Sequence, residues 1–215
     1  MKREGELSAL TDGKLYRSSD MARLGCNDCE GCSACCKGMG NSVVLDPYDV
    51  WRLERGTGKT LAQMIGTEVM LSVIDGLILP SLNMEMTGIC PFLNEKGRCS
   101  VHLFRPGICR LFPLGRYYHD GGFSYVLMSD ECKKENRTKV KIEKWLEEEN
   151  LPEYERFILR WKKIQENVRE RIGEAARLTD PEAALAEQKK LSMSVLKTYY
   201  LQAYGDRFFA EFAGR

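Results

Sequence analysis

The chain has 215 residues, 43% hydrophobic and 29% charged, with 32 basic and 31 acidic side chains and a formal charge of +1. This composition suits a folded chain with its own core and excludes both a disordered tail and a miniprotein dependent on covalent staples. The near balance of charge gives no electrostatic reason to expect nucleic acid or an anionic membrane as partner.

The opening stretch, MKREGELSALTDGK, is charged throughout and has no apolar run, so no secretory signal is expected. Apolar stretches such as GLILP are too short to span a bilayer. The expected location is the cytoplasm, where thiols stay reduced. An odd count of 9 cysteines does not suit a disulfide framework, and metal coordination is the better reading.

In chain order, residues 1–25 lack periodicity and read as a lead-in segment. CNDCEGCSACC follows, spanning Cys26 to Cys36. Cys26, Cys29, Cys32 and Cys35 are each separated by two residues, which lets a turn aim two sulfurs at one ion at roughly 2.3 Å. Cys35 and Cys36 are adjacent, and neighbouring side chains diverge in extended or helical backbone. Their sulfurs are therefore expected to face different partners, in two metal sites or one polynuclear cluster.

NSVVLDPYDVWRLERG reads as a short strand and then a helix, with Asp46 as N-cap, Pro47 in the first position and Gly56 as its end. Thr60 should cap a second short helix, and Asp75-Gly76 between apolar runs signals a hairpin. GTGKT at 56–60 fails as a phosphate-binding loop, because Leu53 stands where its first glycine is required.

In CPFLNEKGRC, a turn over Asn94 to Gly97 would bring Cys90 and Cys99 together on paired strands. Arg105-Pro106 and Phe112-Pro113 are turn or extended dipeptides, with Cys109 between them. GFSYVLMS is a further strand candidate, and Cys132 follows. Lys37, Arg98, Arg105, Arg110 and Arg116 could offset thiolate charge, or equally be solvated surface. His102, three residues after Cys99, is a candidate imidazole ligand for which a structural role is favoured, and His119 reads as a loop residue. The acidic run at 147–149 reads as solvated surface.

From Thr138 onward there are no cysteines. Tyr154, Phe157, Ile158, Trp161, Ile164, Val168 and Ile172 form one apolar stripe at helical spacing. Asp180-Pro181 opens a further helix, with Leu185, Val195, Leu196, Tyr199 and Tyr200 as its expected buried face. The stripe is expected to pack on the cysteine-bearing region; docking of a protein partner is the alternative.

The thiol spacing partly matches bacterial ferredoxins, and thiolate-only sites suit zinc and iron–sulfur centres alike. The segments CEGCSACC and CPFLNEKGRCSVHLFRPGICRLFP together resemble the YkgJ-type cysteine-cluster family, described as zinc- or iron-chelating. The resemblance covers roughly residues 26–132 and implies Cys29, Cys32, Cys35, Cys36, Cys90, Cys99, Cys109 and Cys132 as metal ligands. Cys26 is additional to that pattern, and His102 stands where the family commonly has tyrosine. A related pattern occurs in flagellin lysine methylases, but this chain shows no further motif that would carry their activity over.

The expected fold is α+β: a lead-in at 1–25, a small cysteine-rich metal-binding core with short strands at 26–137, and a helical extension at 138–215. The expected function is chelation of zinc, preferred, or of iron or an iron–sulfur cluster, with metal ions as partners and no catalytic residues assigned. An iron–sulfur redox protein or enzyme, and a metal storage or transfer protein, are the alternatives.

Overall fold

The computed structural model describes residues 10–26, 32–85, 87–129 and 131–215. Among these the fold is α+β, with seven α-helices and three separate two-stranded antiparallel sheets. The lead-in stretch contains strand β1 (Met21–Gly25), which the sequence pattern did not suggest. Ala22 and Leu24 point into the core, and the strand pairs with a much later one, β6 (Thr138–Lys141).

Helix α1 (Pro47–Thr57) begins at Asp46 in a capping box: each of Asp46 and Asp49 accepts the other's backbone N–H. The helix runs through Gly56 and ends at Gly58, whose φ of 70° makes it the left-handed cap. Gly56 has a different use. A Cβ there would lie 2.6 Å from the Phe104 ring, so its bare backbone lets that ring pack on the helix. Thr60 caps α2 (Leu61–Met64) as expected, so GTGKT is the junction of two helices.

Strands β2 (Val69–Ile74) and β3 (Leu77–Leu82) form the expected hairpin. Asp75 and Gly76 both take positive φ, 48° and 80°, as a two-residue turn with the native strand twist requires. Strand β5 (Gly122–Leu127) covers the first six of the eight residues of the expected GFSYVLMS strand, and pairs with an unanticipated β4 (Leu114–His119). Between the hairpins lies α3 (Gly107–Leu111), a single short turn of helix.

After β6 come α4 (Ile142–Leu146), the long α5 (Leu151–Ala175), α6 (Pro181–Leu196) and α7 (Phe208–Ala213). The α5 stripe is buried at Tyr154, Phe157, Ile158, Trp161 and Ile172, while Ile164 and Val168 are half-buried. Trp161 meets Tyr199, Tyr200 and Phe212 edge-on at 5.4–6.3 Å between ring centres. On α6 the expected Leu185 is 68% exposed, and Ala184 and Leu191 take the inward positions. One continuous buried cluster runs from Leu24, Leu45 and Leu79 through Phe92 and Val101 to Trp161, Val195 and Phe212. The tail is stitched to it by polar contacts as well: Ile78 N donates to Ser192 Oγ (2.5 Å) and Tyr200 Oη to Leu45 O (2.9 Å). No helix among the described residues is long and apolar enough to cross a membrane.

Candidate metal centre

Three stretches of irregular backbone carry the thiols to one place. The first is the 3-10 turn Ala34–Cys36. It is laced to the second, because Cys90 N donates to Cys36 O (2.8 Å) and Gly38 N to Gly88 O (2.7 Å). The chain then reverses at Asn94, whose Oδ1 accepts from Lys96 N (3.1 Å) and Arg98 N (2.9 Å), and Gly97 takes a φ of 70°. The expected turn is therefore present. Only the single bridge Leu93–Cys99 forms beside it, in place of paired strands, since Pro91 has no N–H to extend a ladder. The third stretch is α3, which presents Cys109.

Cys32, Cys35, Cys36, Cys90, Cys99 and Cys109 line one cavity of about 110 Å³. Met39, Val43, Leu82, Phe92, Phe112 and Trp145 supply apolar wall, and Arg98, His102 and Arg105 supply polar lining. Cys132 is half-buried and does not line this cavity; its neighbours Glu131 and Lys133 line an adjoining one that shares Cys35, Met39 and Phe112. Cys26 is buried just beyond β1, outside the cavity lining, and Cys29 lies outside the described residues. A larger open cleft of about 660 Å³ between Trp51, Arg156 and Phe209 is lined by no cysteine among the described residues.

Cys35 and Cys36 do not diverge. Hydrogen bonding between the two sulfurs holds Cys35 well above its ordinary value and Cys36 below its own. The tight 3-10 turn, neither extended nor α-helical, puts both side chains on one wall, so the argument for different partners falls away. Burial raises Cys90, Cys99 and Cys109, and the crowded sulfurs raise one another further. Arg105 opposes this at Cys35 and Cys99. The proton is thus retained by low polarity and like-charge repulsion, the two conditions that a bound cation reverses.

The donor set fits a soft-metal site in its chemistry: six sulfurs and one imidazole in an apolar chamber. Its arrangement is open, because among the described residues no group of three or more His, Cys, Asp or Glu is placed to hold a metal ion. A bound ion would have to draw sulfurs inward from the cavity wall and displace their protons. His102 Nε2 is engaged by Arg105 Nη1 at 2.9 Å; a guanidinium only donates, so that nitrogen's lone pair is taken. His119 lies at the exposed end of β4 against Asp120 O and Ser124 Oγ.

The basic residues divide. Arg98 and Arg105 line the chamber, and Lys37 is exposed. Arg110 is buried and turned away from the thiols: Nη1 donates to Glu148 Oε2 (2.6 Å) and Leu146 O (3.3 Å). Burial would lower Arg110, but Tyr154, Glu148 and Asp49 outweigh it and hold it above its ordinary value. Arg116 Nη2 donates to Tyr154 Oη at 3.1 Å. The acidic run at 147–149 is not uniformly solvated either, since the Glu148 side chain is 3% exposed and accepts from Tyr48 Oη (2.9 Å).

Asp49, Arg110 and Glu148 are thus buried polar groups that hold α3, a role the sequence pattern did not suggest for any of them. The Asp46-x-x-Asp49 spacing carried a signal for a capping box, whereas nothing local distinguishes Glu148 from its acidic neighbours.

No curated protein and no solved structure matches the chain. A family model described as CxxCxxCC, putative zinc- or iron-chelating domain, matches residues 28–149. This stretch includes every thiol of the chamber together with Asp49, Arg110 and Glu148, and ends where α5 is about to begin. Covering more than half of the sequence, the match joins the spacing of the cysteines to their convergence, and the chain belongs to the CxxCxxCC family.

Proposed function

We propose that this chain chelates zinc through clustered thiolates, with Cys29, Cys32, Cys35, Cys36, Cys90, Cys99, Cys109 and Cys132 as the ligand set. The observation that carries the reading is the lining of one cavity by six sulfurs from three separated segments. Residues 26–137 would form the chelating core and 138–215 a helical extension, in a cytoplasmic protein. A bound divalent ion supplies positive charge that keeps the sulfurs deprotonated; the chain supplies Arg98 and Arg105 beside them and an apolar wall that excludes water.

The test is elemental analysis with an absorption spectrum on anaerobically purified protein. Zinc in stoichiometric amount and a colourless solution are expected. A brown solution with acid-labile sulfide would replace zinc by an iron–sulfur centre, and absence of any metal would overturn chelation. Cys35→Ser should lower the bound metal, and chelator treatment of the wild type should lower its melting temperature, because energy of ion binding is folding energy at such a site.

A further inference from the structure

The thiol at Cys109 rests on the least self-sufficient element of the chamber. Helix α3 has five residues, too few to persist through its own hydrogen bonds, and Pro106 before it contributes no side-chain cap. Its first N–H, at Gly107, donates instead to Asp49 Oδ1 (2.6 Å), a buried carboxylate 58 positions earlier in the chain. Arg110, next to Cys109, is clamped to Glu148 at 2.6 Å with both side chains at most 3% exposed. Trp145 Nε1 donates to Phe112 O (3.2 Å), just past the helix end. The residues flanking Cys109 on both sides are thus held from elements remote in sequence.

We propose that Asp49 and Glu148 are positioning residues for the metal centre, fixing the Cys109 sulfur through Gly107 and Arg110 without touching the ion. This rests on the chelation reading above. Asp49 offers two acceptor oxygens, one for the Gly107 N–H and one for the Asp46 N–H, of which asparagine keeps one.

The experiment is cobalt(II) titration of the full chain, followed through sulfur-to-cobalt charge-transfer absorption, with zinc affinity measured by competition against a chromogenic chelator. Cys109→Ser sets the signal expected for loss of one sulfur. Asp49→Ala and Glu148→Ala should reproduce that reduced absorption and weaken zinc binding about 10–100-fold, the range for removing groups that orient ligands. Asp49→Asn, which keeps the acceptor for the Gly107 N–H and gives up the one for the Asp46 N–H, should restore most of the absorption and affinity. Wild-type protein that binds no cobalt or zinc would overturn chelation itself. Wild-type binding with full charge-transfer intensity in the folded alanine variants would overturn the positioning role alone. Should the alanine variants fail to fold, Glu148→Gln decides: its oxygen still accepts from Arg110 and its amide can donate to Tyr48 Oη, so intensity matching Cys109→Ser would show that the charge, not the held geometry, is what the site uses, and overturn the proposal.

Discussion

The chamber and the helical tail share one buried cluster yet are built by different physics. Along α5 and α6 the chain supplies long helices with side-chain caps at Asn150 and Asp180, and aromatic rings that interlock edge to face. Each helix is locally specified, and burial of its apolar stripe holds it in place. Among the described residues around the thiols there is almost no regular structure: two 3-10 turns, an Asn94 reversal and a five-residue helix. There the backbone is fixed by individual hydrogen bonds from Asn94, Asp49, Glu148 and Trp145. A chamber for an ion needs donors that approach from several directions, which short irregular segments provide and a long helix does not. Its crowded thiols are the part of the fold that leaves most for a ligand to stabilise.

The comparison breaks first at Trp161. Truncation to alanine removes a large buried ring and should cost about 3–5 kcal/mol in a urea or thermal melt. If the two regions are held independently, this loss is the same before and after chelator treatment; a loss that depends on chelation would show that the ion supports the tail through the common core.

Gly107→Ala probes the chamber side without touching a sulfur. The new methyl would lie 2.2 Å from Tyr154 Oη, so α3 or the tyrosine must move, at a cost of about 1–3 kcal/mol. Tyr154→Phe removes the obstructing oxygen and should relieve part of that loss in a double-mutant cycle. Strict additivity of the two changes would mean that the contact does not limit the position of α3.

The smallest effect concerns Asp46. Burial first, and then the charge of Asp49, hold its carboxyl well above the ordinary value. Between the ordinary and the raised value the native state binds more protons than the unfolded state, so this group's contribution to stability falls as pH rises through that window. Asp46→Asn keeps an acceptor for the Asp49 N–H but does not titrate. Relative to wild type the variant should gain stability as pH rises from about 4 towards neutrality, read as denaturation midpoints. Midpoints that stay parallel across this range would remove the titration argument.

Much of the local structure was legible in the residues. Asp46-Pro47, Thr60, Asp75-Gly76 and Asp180-Pro181 announce their caps and turns because those signals act over three or four residues. Strand β1 was not legible, since its partner lies more than a hundred residues later and its own five residues carry too little pattern. The Gly56 end of α1 was misplaced for a similar reason: the glycine answers to Phe104, a ring distant in sequence.

The cysteine spacing by itself determined that sulfur chemistry is central to this protein, because a close repeat of thiols is a local and chemically specific feature. Only the tertiary structure decided how those thiols meet: Cys35 and Cys36 on one wall, His102 engaged by Arg105, and Arg110 turned away to Glu148. Side-chain direction and the pairing of buried charges depend on residues brought together from far along the chain, which a linear pattern does not encode.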